Sequence, residues 1–85
     1  MTKAPPRNDD DIQEHLSRVF RENVRALRGD LGISQTELAR RLGRSPGYVC
    51  DVERGRRRPN VGTAALFAEA LGCAAAVLFG DTPVK

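Results

Sequence analysis

Apolar residues recur along the first third of the chain at Ile12, Leu16, Val19, Phe20, Val24, Leu27 and Leu31. Spacings of three and four place them on one stripe of an α-helix. Asn8 or one of Asp9 to Asp11 caps this helix, and carboxylates suit the positive end of a helix dipole. Gly29 weakens the last turn and Gly32 ends it. The pattern then restarts in shorter pieces. Ser34 precedes Leu38, Ala39 and Leu42, with Glu37 three residues on, the S-x-x-E pattern of a capping box. Gly43 closes this second helix. Ser45 caps a third, and Pro46 takes its first position, where a missing N–H costs nothing. Val49 and Val52 form its inward face, and Gly55 terminates it. A polar loop, Arg56-Arg57-Arg58-Pro59-Asn60, follows. A fourth helix covers about 61–71 and stops at Gly72. A short apolar fifth covers 74–79 before Gly80. No segment alternates like a strand, and no internal repeat is visible. The expectation is an all-α domain of five helices over residues 9–80, with an extended first helix. A Pro-rich polar stretch, 1–8, reads as a flexible arm and 81–85 as a tail.

Composition narrows this picture. The 85 residues suffice for one domain, which buries only roughly 60% of its unfolded surface. Dimerisation is one way to offset such a thin margin. With few aromatics and no Trp, the core falls to Leu, Val, Ala and Ile. The formal charge of +3 says little by itself, but its distribution says more. Residues 1–33 are balanced. Residues 34–60 set seven arginines against Glu37, Asp51 and Glu53, a net of +4. A local positive field of this kind is the footprint of a phosphate-binding face. Cys50 and Cys73 are not at zinc spacing, and His15 cannot complete a site with them, so no metal and no cofactor is expected. Both cysteines read as reduced thiols. No apolar run approaches the ~20 residues of a membrane span, and the acidic start lacks a signal-peptide h-region. The expected location is cytoplasmic, away from membranes.

Two short helices separated by Gly43-Arg44-Ser45 make a helix-turn-helix. The first helix braces across the DNA backbone while the second enters the major groove, about 12 Å wide. The residues sharpen the case. Ser34-Gln35-Thr36-Glu37-Leu38-Ala39-Arg40-Arg41-Leu42-Gly43, then Ser45, Tyr48-Val49 and Val52-Glu53-Arg54-Gly55-Arg56-Arg57-Arg58-Pro59, closely resemble the phage-repressor family (the lambda-repressor and Cro class, often called XRE). The resemblance runs from about Phe20 to Phe79 and includes Phe67-Ala68 and Ala70-Leu71-Gly72. It implies a repressor-like five-helix DNA-binding domain that works as a homodimer on a two-fold-related operator in double-stranded DNA.

The resemblance also implies roles. Gln35 matches a glutamine that bonds a phosphate and braces the recognition helix. Arg28 matches the position that pairs with Glu53, whose charge would otherwise repel phosphates. Pairing of Glu53 with nearby arginines is the alternative. The basic run Arg54, Arg56, Arg57 and Arg58 is the candidate for phosphate contacts. Of Arg40 and Arg41 on the brace helix, one is expected to reach DNA, and Arg41 is the choice. Pro46 and Gly47 fall where the family reads bases, yet offer no polar side chain. Readout then passes to Arg44, Tyr48, Cys50 and Asp51. Asp51 suits a cytosine amino group, Tyr48 a phosphate or a thymine methyl, and Arg44 a phosphate or a guanine. Either DNA shape contributes to selectivity or selectivity is modest. Lys3 and Arg7 of the arm are either further DNA contacts or, as preferred, part of a solvated tail. Cys50 is read as a filler in preference to a redox sensor, and Cys73 as core packing. Leu66 and Val77 are apolar where the family is often polar, and Leu78 and Phe79 lie nearby. These four form the candidate dimer interface; covering the long first helix is the equal alternative.

The leading functional reading is a homodimeric transcriptional repressor. An antitoxin that neutralises a protein partner and regulates its own operon is the alternative. An enzyme is not expected, because the chain carries no Ser/His/Asp set and no phosphate loop.

Overall fold

A computed structural model describes residues 9–80. The candidate arm 1–8, with Lys3 and Arg7, and the tail 81–85 lie outside the described residues. Five helices follow one another: α1 (Asp9–Leu31), α2 (Gln35–Leu42), α3 (Pro46–Glu53), α4 (Val61–Leu71) and α5 (Ala75–Leu78). No strand occurs among the described residues.

Local chemistry sets the helix ends. The Ser34 Oγ accepts from the Glu37 N–H at 3.0 Å, and the Ser45 Oγ accepts from the Tyr48 N–H at 3.3 Å. Each satisfies one of the donors that a helix start leaves over. Asn60 does the same for α4, its Oδ1 accepting from the Thr63 N–H at 2.8 Å. The reciprocal half of the capping box does not form, because the Glu37 carboxylate is taken by Arg40 and Arg41. Gly43 and Gly72 end α2 and α4 at φ of 70° and 73°, a left-handed turn that a Cβ would strain. The turn lets Arg44 N donate to the Ala39 carbonyl and Cys73 N to that of Ala68, both at 2.9 Å.

Phe20, Val24, Leu38, Val49, Val52, Phe67 and Leu78 form the centre of the core. Phe20 meets Phe67 edge to face at 5.4 Å and Phe79 at 5.3 Å. α1 thus packs against α3, α4 and α5, while α2 packs on α3 and α4. The apolar stripe of α1 is fully buried at Phe20 and Val24, partly buried at Val19 and Leu27, and 48% exposed at Leu31. Ile12 and Leu16 remain 43% and 39% exposed, so the first two turns project beyond the core. There Leu16 opens onto an apolar groove shared with Val61, Ala64, Ala75 and Phe79.

Two of the candidate dimer residues require correction. Leu78 is wholly buried, and Phe79 is half-buried against Phe20. Asn23 contributes: the two N–H groups of its Nδ2 are shared among the carbonyls of Val77, Leu78 and Gly80, at 3.3, 2.9 and 3.0 Å. These bonds tie the end of α5 to α1 and help turn Leu78 inward. Leu66 and Val77 each stay 38% exposed. Burial pushes the Cys73 thiol pKa up, which suppresses the reactive thiolate.

Candidate nucleic-acid interface

α2 packs on α3, and the angle between them is held by a buried ion pair that reaches back to α1. Arg28 Nε donates to Glu53 Oε2 at 2.8 Å, and Arg28 Nη2 donates to Oε1 at 3.1 Å. Gln35 Nε2 donates to the same Oε1 at 2.9 Å. Glu53 is 4% exposed and its partners are these two residues, not the arginines beside it in the chain. The third Arg28 donor, Nη1, reaches the Ile33 carbonyl at 3.1 Å. One carboxylate therefore joins the ends of α1 and α3 to the start of α2. A primary amide has two N–H donors, so Gln35 braces α3 and still has one to offer a phosphate.

Pro46 and Gly47 open α3 exposed, so its first turn presents ring and backbone to solvent. Tyr48 departs from the base-reading expectation. Its ring lies 6.3 Å from that of Phe67, stacked at 26°, and its hydroxyl sits 3.4 Å from Thr63 Oγ1. The ring gains more by packing on Phe67 than by facing water, and the hydroxyl finds a partner on α4. Two guanidiniums then approach the same ring, Arg44 at 5.4 Å and Arg57 at 5.2 Å from its centroid. Such cation–π contacts hold the turn arginine and the loop arginine near one place.

Asp51 is also turned to a local task. Its backbone carbonyl accepts from the N–H groups of Arg56 and Arg57 at 2.8 and 3.3 Å. Its carboxylate lies 3.5 Å from Arg56 and 4.0 Å from Arg57. The arginine ends of these pairs are solvent-exposed, which weakens them, yet they aim the carboxylate at the loop arginines.

The structure divides the arginine run. Arg54, Arg56 and Arg57 are exposed beside α3. Arg58 turns away to α1, where Nη1 donates to Gln13 Oε1 at 3.0 Å and Nη2 lies 3.6 Å from Glu14. Arg41 is likewise engaged, through Glu37 at 3.1 Å and the Ala70 carbonyl at 3.2 Å. Arg58 and Arg41 thus stand apart from the phosphate-facing set expected for them, because each has an acidic or carbonyl partner brought close by the packing of α1 or α4.

Glu37 gathers two arginines. Hydrogen bonds from Arg40 and then Arg41 hold its carboxyl well below the usual range, at about 2. The stabilisation from these pairs is present above the ordinary carboxylate pKa and is lost as pH falls toward 2, since only then does the folded-state carboxylate take a proton. A carbon-detected NMR titration should give a midpoint near 2 for Glu37. The double variant Arg40→Ala/Arg41→Ala should return it to the ordinary range; an unchanged midpoint would refute this cause.

Sequence reasoning passed over Arg21 and Arg25. With Arg28 they lie on one side of α1, at spacings of four and three. In the structure they line a polar cleft with Arg54 and Arg56, above the Arg28–Glu53–Gln35 cluster. The spacing was the available signal, masked by the equal acidic content of the segment. Among the described residues, no group of His, Cys, Asp and Glu could hold a metal ion, and no helix is long and apolar enough to cross a membrane.

Residues 24–78 match the helix-turn-helix family. The chain is 42% identical over 66 residues to an uncharacterized HTH-type transcriptional regulator of Archaeoglobus fulgidus, covering 78% of this chain and 27% of that protein. It is 39% identical over 57 residues to another from Sinorhizobium fredii, covering 67% and 74%. The immunity repressor protein of Bacillus phage phi105 is 30% identical over 60 residues, covering 71% and 42%. The chain thus spans about a quarter of the first relative and less than half of the phage protein. Among solved structures, a hypothetical transcription factor from Neisseria superposes with a TM-score of 0.73 at 34% identity, covering 93% of this chain and 86% of that one. The clp gene regulator of C. glutamicum superposes at 0.70 with 33% identity, covering 74% and 82%.

Proposed function

The chain belongs to the helix-turn-helix family, and on that premise we propose that it is a transcriptional repressor that binds a two-fold-related DNA operator as a homodimer. One observation carries this reading: α3 presents an exposed first turn flanked by Arg44, Arg54, Arg56 and Arg57, with few acids to neutralise them. A bare helix start between guanidiniums enters a major groove while the arginines meet the phosphates on its rims. The turn has little to bond base edges with. Selectivity then draws on Arg44, Asp51 and DNA shape, Pro46 and Gly47 allowing close approach of backbone to bases. Arg54, Arg56, Arg57 and Gln35 are the phosphate contacts; Arg41 and Arg58 join them only by leaving their present partners. Leu66 and Val77 are the remaining candidates for the dimer contact. The phage immunity repressor among the relatives supports repression over activation.

In vitro selection of bound DNA, followed by footprinting and light scattering, tests the reading. The expected result is a two-fold-related site with half-sites about one helical turn, ~34 Å, apart and two chains per site. A 1:1 complex on a single half-site would reject the dimer, and Leu66→Glu or Val77→Glu should weaken dimerisation without unfolding the chain. Arg57→Ala should lower affinity about equally on operator and scrambled DNA, and reduce the slope of log affinity against log salt by about one. Asp51→Ala should relax preference at one position per half-site; tighter binding to all DNA alike would make Asp51 a repulsive bystander.

A further inference from the structure

The cleft between α1 and the end of α3 concentrates charge that the fold does not need. In it, Glu53 accepts three hydrogen bonds from Arg28 and Gln35. That carboxylate is buried, and the Arg28 charge beside it offsets its own, so the pair brings little net charge to the rim. Around the rim stand Arg21 and Arg25 from α1 and Arg54 and Arg56 from beyond α3. Arg21 has a 3.6 Å contact with the exposed Glu14, and Arg56 a 3.5 Å contact with the half-buried Asp51. Among the described residues, no carboxylate lies within ion-pair distance of Arg25 or Arg54. Four guanidiniums facing one cleft repel one another, and an anion placed among them removes that repulsion.

Gly55 stands at φ 82°, and a Cβ there would lie 3.1 Å from the Arg21 Cζ. The Arg21 guanidinium lies beside Gly55, so the turn after α3 meets the middle of α1. The space between them, about 620 Å³, falls in the range of small-ligand sites, roughly 300–1,000 Å³.

We propose that this cleft is a phosphate-binding site to which α1 contributes Arg21 and Arg25. Guanidinium forks match phosphate oxygens two at a time, and four of them suit a group carrying more than one anionic oxygen. The phosphate comes either from the backbone of bound DNA or from a free polyphosphate. Only the first source rests on the DNA-binding reading above. In that case the phosphate track continues from the loop after α3 onto the first helix, and the protein contacts more of the backbone than the helix-turn-helix alone reaches. In the second, a soluble anion occupies the cleft beside Arg54 and Arg56 and competes with DNA for them.

The test uses the full chain and the double variant Arg21→Gln/Arg25→Gln, with circular dichroism to verify that it folds. Pyrophosphate is titrated while the arginine Nε–H signals are followed by NMR. Random-sequence duplex is titrated at several salt concentrations, with Arg57→Ala as the control for DNA binding itself. A DNA source predicts that the double variant reduces the salt slope by about one to two. A free-anion source predicts shifts at Arg21, Arg25, Arg54 and Arg56 with pyrophosphate, and at least a several-fold weaker affinity in the double variant, with the DNA slope intact. If neither the pyrophosphate affinity nor the DNA slope responds to the double variant, the site is refuted. A reduced slope for Arg57→Ala alongside an intact one for the double variant would keep the DNA-binding reading while removing α1 from it. A chain that binds no duplex would sink that reading and leave the pyrophosphate titration to decide the cleft.

Discussion

Replacing Glu53 by alanine should cost about 3–5 kcal/mol of folding stability, the range for breaking a buried ion pair on one side. The carboxylate is 4% exposed and accepts three hydrogen bonds. Its removal leaves the Arg28 Nε and Nη2 and the Gln35 Nε2 without their acceptor. The Arg28 side chain is 22% exposed, so water reaches part of it and the loss falls toward the lower end of the range. Even so, a domain of this size holds only roughly 5–15 kcal/mol in total. At about 4–8 °C per kcal/mol for a small domain, the midpoint of thermal unfolding should fall by more than 10 °C. Circular dichroism melts decide the matter; a midpoint within a degree or two of wild type would reject a stabilising clamp. Glu53→Gln keeps one acceptor and the shape, and should lose less. The same variants should bind DNA poorly at temperatures where they remain folded, since the carboxylate also joins α1, α2 and α3.

Phe67→Ala should be comparably severe, at roughly 3–5 kcal/mol. The ring is fully buried on α4 and touches Phe20 of α1 at 5.4 Å and Tyr48 of α3 at 6.3 Å. Its removal leaves a cavity at the meeting point of three helices and ends two aromatic contacts, each about 0.5–1.5 kcal/mol beyond simple burial. The functional consequence runs through Tyr48. Without Phe67 behind it, the Tyr48 ring loses its support, and with it the fixed place of Arg44 and Arg57. Denaturant unfolding should show a lower midpoint at unchanged slope, and Phe67→Leu should recover more than half of the loss. A Phe67→Ala protein that unfolds within about 1 kcal/mol of wild type would mean that the core closes around the gap.

The sequence by itself determined where the helices stop and start. Ser34, Ser45, Gly43 and Gly72 act on groups within about five residues of themselves, through side-chain caps and left-handed turns. Their action needs no knowledge of the rest of the chain. The helix-turn-helix was legible for the same reason, as two capped helices joined by three residues. The destinations of the charged and aromatic side chains were not. Arg56 and Arg58 are two residues apart in one basic run, yet one faces Asp51 beside α3 and the other Gln13 on α1. Tyr48 turns inward because Phe67 and Thr63 come from α4 to meet it. Leu78 is core in part because Asn23, 55 residues earlier, binds its carbonyl. Arg21 and Arg25 lie in a segment of zero net charge and become part of a basic cleft only when the end of α3 is laid against them. Helix ends are decided by hydrogen bonds to near neighbours in the chain. A long side chain settles wherever packing brings a partner or leaves an open face, and that is known only once the helices have met.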